Sequence, residues 1–134
     1  MIVSREFAKH LSEDEKKNIL DNISKIREWL EKNAVSLIEP TTIHLDLTYD
    51  LKVFPTGEVY VRNNRERIYW DKGDVPSYEH QRKLKVHLVS EDLSCCLTLI
   101  EKWENIKSEL LMKIGIQKKS LIGIQKLAST ELEF

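Results

Sequence analysis

Residues 43–53 alternate without exception. Ile43, Leu45, Leu47, Tyr49, Leu51 and Val53 are apolar, and His44, Asp46, Thr48, Asp50 and Lys52 between them are polar. A period of two over this length predicts one β-strand with a buried face and a wet face. A single wet face favours antiparallel neighbours, because parallel strands are usually covered on both sides. Phe54-Pro55-Thr56-Gly57-Glu58 follows. Proline presets φ and glycine supplies a left-handed residue, the chemistry of a type I turn followed by a G1 bulge. Phe54 then opposes Glu58. Counting outward pairs Val53 with Val59 and Leu51 with Val61 on the apolar face, and Lys52 with Tyr60 and Asp50 with Arg62 on the wet face. Turn chemistry and side-chain pairing thus agree on one register.

Helical spacing brackets this hairpin. Ser12-Glu13-Asp14-Glu15 is a capping box, and Ile19, Leu20, Ile23, Ile26, Trp29 and Leu30 form the apolar stripe of the helix it opens. That helix is expected to end near Asn33, with Glu39-Pro40 marking the break into the sheet. Residues 1–11 are expected to be a short strand or loose helix anchored by Phe7 and Leu11. After the hairpin, residues 62–65 predict a second turn, residues 66–70 a third strand, residues 71–77 a surface loop, and residues 83–88 a fourth strand by alternation. Ser90 then predicts a helix start, with Glu91 and Asp92 in the first turn. Leu93, Cys96, Leu97, Ile100 and Trp103 make one stripe, and Cys95, Leu99, Ile106 and Leu110 a neighbouring one. Gly115 is expected to interrupt this helix, with a short further helix over residues 116–128 and a frayed tail. The fold class is therefore α+β: an antiparallel sheet of three to four strands flanked by an N-terminal helix and a long C-terminal helix.

Composition adds bounds. A chain of 134 residues, 41% hydrophobic, is expected to form one domain over residues 1–134. A net charge of −1 provides no global field for nucleic acid. There is no run of 18 apolar residues and no secretory leader pattern, so neither a membrane span nor export is expected. Cys95 and Cys96 are adjacent and are the two cysteines of the chain, an arrangement poorly suited to a disulfide. A cytoplasmic location follows as an expectation. Lysine exceeds arginine, and isoleucine and asparagine are frequent, which points to an AT-rich coding genome such as that of a bacterium or phage.

Three constellations bear on chemistry. His44, Asp46 and Asp50 share a strand face, and His87 joins them if the strands are neighbours. An imidazole with carboxylates suits a divalent metal or a general base, and so a metal-dependent hydrolase. No ligand-spacing motif accompanies them, and alternation alone produces such faces. Residues 62–87 hold seven bases (Arg62, Arg65, Arg67, Lys72, Arg82, Lys83, Lys85) against four acids, with Tyr69, Trp70 and Tyr78 among them and Tyr60 beside them. Basic residues interleaved with aromatics suit a nucleic-acid backbone and its bases. Residues 1–61, with 11 acids and 8 bases, oppose that. Cys95 and Cys96 lie among leucines and isoleucines, where packing is the expected role. Trp29 and Trp103 read as core anchors, and Trp70 as a contact residue.

The function expected from these observations is a non-catalytic protein-interaction module, such as an accessory, inhibitor or immunity-type protein. Its partner-binding surface is expected at Asp50, Tyr60, Arg62, Arg65, Arg67 and Trp70. The wide apolar face of residues 93–114 predicts a homodimer. No catalytic residue, metal or cofactor is assigned. Nucleic-acid binding through residues 62–87 is the alternative, and a metal-dependent hydrolase the second.

Overall fold

A computed structural model describes residues 9–63, 81–83 and 93–133. Helix α1 (Glu13–Ala34) opens at the capping box: the Glu15 amide donates to Ser12 Oγ at 3.1 Å, and the Ser12 amide donates to Glu15 Oε1 at 2.9 Å. The backbone and hydroxyl hydrogen bonds from Ser12 hold the Glu15 carboxyl below its ordinary pKa. Ile23, Ile26, Leu30 and Ala34 form the buried stripe. Asn33 Nδ2 donates to the Trp29 carbonyl at 2.8 Å, one turn back along the helix.

Residues 43–53 are two strands, not the single strand that alternation predicts. β1 (Thr41–His44) and β2 (Tyr49–Val53) pair antiparallel, Ile43 opposite Leu51 and His44 opposite Asp50. The cause is Asp46. Its Oδ1 accepts the Thr48 and Tyr49 amides, each at 2.8 Å, and the Leu45 amide donates to the Tyr49 carbonyl at 3.1 Å. An aspartate that bonds amides two and three residues ahead folds the chain back on itself. Leu47, expected on the core face, sits at the tip and is 97% exposed. Alternation does not reveal this fold-back. Positions equidistant from Leu47 have the same parity, so apolar residues still meet apolar ones after the chain reverses.

The second hairpin has the register read from the sequence. β2 pairs with β3 (Val59–Asn63) with Val53 opposite Val59, Leu51 opposite Val61, Lys52 opposite Tyr60 and Asp50 opposite Arg62. The Phe54 amide donates to the Glu58 carbonyl at 2.9 Å and the Gly57 amide to the Phe54 carbonyl at 3.0 Å, with Gly57 at φ 92°. Three residues of a short strand β4 (Gln81–Lys83) pair antiparallel with β3, giving the order β1-β2-β3-β4. The third strand expected at residues 66–70, the loop at 71–77 and residues 84–88 of the expected fourth strand lie outside the described residues.

Two further helices complete the layer on the apolar sheet face, α2 (Leu93–Glu101) and α3 (Trp103–Ala128). The break falls at Lys102, and α3 runs unbroken through Gly115, where the sequence predicts an interruption. Thr98 Oγ1 donates to the Ser94 carbonyl at 2.8 Å, a contact that bends helices, one turn before the break. A glycine costs a helix only about 1 kcal/mol and need not end it. Cys95, Cys96, Leu99, Ile106, Leu110 and Ile114 join Ile23, Leu30, Ile43, Leu51 and Val53 in one core. Both cysteines are packing residues there. Trp29 and Trp103 meet edge to face at 5.2 Å beside it.

Polar side chains fix α3 against the strand edge. Lys113 Nζ donates to the Thr42 carbonyl at 2.7 Å. Gln117 Oε1 accepts the Ile38 and Glu39 amides at 2.8 and 3.1 Å, and Gln117 Nε2 donates to the Glu39 carbonyl at 3.0 Å. Beyond Gln117 every residue of α3 is exposed.

The fold-back at Leu47 separates two leucines that the alternation treats alike. Leu51→Ala is expected to destabilise the protein by about 3 kcal/mol, and Leu47→Ser by no more than about 0.5 kcal/mol. Asp46→Ala, which strips the turn of both amide contacts, is expected to cost about 1 to 2 kcal/mol. Urea unfolding measures all three, and a Leu47→Ser loss equal to that of Leu51→Ala contradicts the hairpin.

Candidate functional site

The sheet face turned away from the helices carries a row of polar residues in register across the strands: His44 on β1, Asp50 on β2, Arg62 on β3. Arg62 Nη2 donates to Asp50 Oδ2 at 2.9 Å, and His44 Nδ1 lies 2.6 Å from Asp50 Oδ1. Each carboxylate oxygen therefore holds one neighbouring strand. The pairing of Asp50 with Arg62 was legible in the sequence, but the wetness of this face was not. Asp50 is only 1% exposed and the Arg62 side chain 14%, whereas the His44 side chain is 77% exposed. An ionised carboxylate is tolerated in such a place only when it is paired. A carboxylate can only accept, so His44 Nδ1 carries the proton of this contact.

A second row lies beside the first, with Lys52 opposite Tyr60 and Tyr60 opposite Lys83 in the strand register. The Tyr60 hydroxyl donates to the Glu58 carboxylate, and its ring meets Phe54 edge to face at 5.5 Å. Of the residues expected to bind a partner, the structure thus joins Asp50 and Arg62 in one enclosed ion pair and places Tyr60 in the next row. Arg65, Arg67 and Trp70 lie outside the described residues.

The metal constellation is not assembled among the described residues. Asp46 is the turn-forming carboxylate, His44 is turned to Asp50, and His87 lies outside. No group of three or more His, Cys, Asp or Glu is placed to hold a metal ion among the described residues. His44 also lines an open groove of about 380 Å³ between β1 and α3, together with Ile43, Lys102, Asn105, Glu109 and Met112.

The largest feature that the sequence reading missed is on α3. Most of the face of residues 93–114 singled out for dimerisation is consumed within the chain: Cys95, Cys96, Leu99, Ile106, Leu110 and Ile114 are buried. The uncovered large apolar side chains are Leu111 and Met112 at the end of that stretch and, beyond it, Ile116, Leu121, Ile122, Ile124 and Leu127, with exposure from 38% at Leu121 to 77% at Leu127. A signal for it was present. Leu110, Ile114, Gln117, Leu121, Ile124 and Ala128 recur at alternating steps of four and three, and this seam passes Gly115 unbroken. Among the described residues, no helix is long and apolar enough to cross a membrane.

The polar row implies unequal costs along its length. Asp50→Ala strands the enclosed Arg62 guanidinium and is expected to cost about 3 kcal/mol. His44→Ala, at the exposed end, is expected to cost less than about 1 kcal/mol. Equal losses in urea unfolding would show that Asp50 is not the hub of the row. No protein-family model, curated protein or solved structure matches this chain, so its role is read from its own residues.

Proposed function

We propose that this chain is a non-catalytic protein-interaction module, as an accessory, inhibitor or immunity-type protein is. The observation that carries the reading is the free half of α3. Leu121, Ile122, Ile124 and Leu127 all stand exposed on an element that leaves the body at Gln117. Large apolar side chains exposed this densely on one element mark a contact site more often than single surface leucines do. The enclosed Asp50–Arg62 pair supports the reading in a second way. It spends the most polar part of the sheet on holding strands together, leaving His44, Lys52 and Tyr60 as the described side chains that flank any contact made there.

One observation favours nucleic-acid binding as a second reading. In the backbone register Tyr60 stands opposite Lys52 on one side and Lys83 on the other, an aromatic between two basic positions of the sequence. The two readings part in a capture experiment. Tagged protein is exposed to its native lysate with and without nuclease. The interaction reading expects a stoichiometric protein partner that survives nuclease and is lost, by at least about tenfold in affinity, when Leu121 and Ile124 are both changed to Asp. Partners that vanish with nuclease, and direct binding that falls steeply with salt, would put the nucleic-acid reading in its place.

A further inference from the structure

We infer that the free half of α3 is covered by the same helix of a second copy, in an antiparallel two-fold pair centred between Leu121 and Ile124. This rests on the reading of α3 as the interaction element.

The first argument is the seam. Leu110 and Ile114 are buried against the chain's own body, and Leu121, Ile124 and Ala128 continue that line past it. Steps of four and three keep one line of side chains facing a partner helix over successive turns. Lys119 and Lys126, one heptad apart, fall on the side away from this seam, so their charges do not oppose one another across a pair.

The second argument is charge. Residues 115–128 contain Lys118, Lys119 and Lys126 and no acid, whereas Glu131 and Glu133 follow the helix. A parallel pair sets lysines beside lysines and acids beside acids. An antiparallel pair brings the acidic end of one copy toward the lysine-bearing half of α3 of the other, nearest Lys118.

The third argument is what stands at the point of departure. Val35 and Ile38 are exposed apolar residues on the body, and the Ile38 amide is bonded to Gln117, where α3 leaves. In the antiparallel pair Leu121 and Ile124 meet reciprocally and Ala128 falls opposite Gln117. Leu132, also exposed, then reaches the Val35 and Ile38 patch of the other copy. One arrangement covers the seam and this patch together. The helix end is also firmly made: Ser129 Oγ and Thr130 Oγ1 donate to the Gln125 and Lys126 carbonyls, each at 2.8 Å.

The test is light scattering on the full chain at about 100 µM, where a standard-size interface is populated, beside a Leu121→Asp, Ile124→Asp variant. The expected result is twice the chain mass for the natural sequence and a monomer for the variant, with the variant's cooperative urea unfolding retained. A monomeric natural chain, or a variant that still dimerises, overturns the inference. The interaction reading is judged separately: if the natural chain is monomeric yet the same variant loses its captured protein, that reading stands without the dimer. The pairing direction is read by mixing Ile38→Cys chains with Leu132→Cys chains under mild oxidation. A disulfide-linked dimer in the mixture, above the background of either chain alone, is expected, and its absence from a dimeric sample overturns the antiparallel arrangement.

Discussion

Among the described residues β1 has one neighbour, β2, and its other edge would present unpaired backbone groups. The chain closes that edge from its own far end. Lys113 takes the Thr42 carbonyl, and Gln117 takes two amides and a carbonyl just before the strand. These contacts, made across some 70 to 80 residues of sequence, fix where α3 lies along the sheet. Below them Ile106, Leu110 and Ile114 reach the core; above Gln117 the helix has nothing of its own described body to rest on. The position of one glutamine therefore divides α3 into a structural half and an available half.

The opposite sheet face is tied by charge. Asp50 stands at the middle of the row and offers one oxygen to each neighbouring strand, so β1, β2 and β3 are linked on this face by one carboxylate. A pair of this kind adds less net stability than its geometry suggests, because both ions lose water on folding. Its stronger effect is on register: a slip of one residue in either hairpin would leave Asp50 enclosed beside an apolar neighbour. The turns act in the same direction. Asp46 sets one hairpin and Pro55 with Gly57 the other.

Much of this was legible in the chain, and the misses have physical causes. The capping box at Ser12, the stripe from Ile23 to Leu30 and the β2–β3 register are local or turn-fixed, and they appear as read. The fold-back at Leu47 escaped notice because a reversal about an odd position preserves the parity of every pair. Gly115 reads as a break by propensity alone, whereas the contacts of Ile114 and Gln117 on either side hold the helix through it. Alternation correctly placed Asp50 and Arg62 on one face but is silent on whether a face is covered, which depends on residues distant in sequence. The dimer face was sought where apolar residues are densest, at 93–114. Density marks the core as readily as an interface, and here the core took most of them.

On the proposed reading, residues 118–128 are a contact element and not a free end. A helical segment of about three turns, helped by its attachment to α3 but unsupported by packing, opens readily in water. Amide hydrogen exchange of residues 118–128 at rising protein concentration tests this most directly. The account predicts protection that increases with concentration and disappears when Leu121 and Ile124 are replaced by Asp. Exchange at the unprotected rate at every concentration, with residues 103–114 protected throughout, would contradict it.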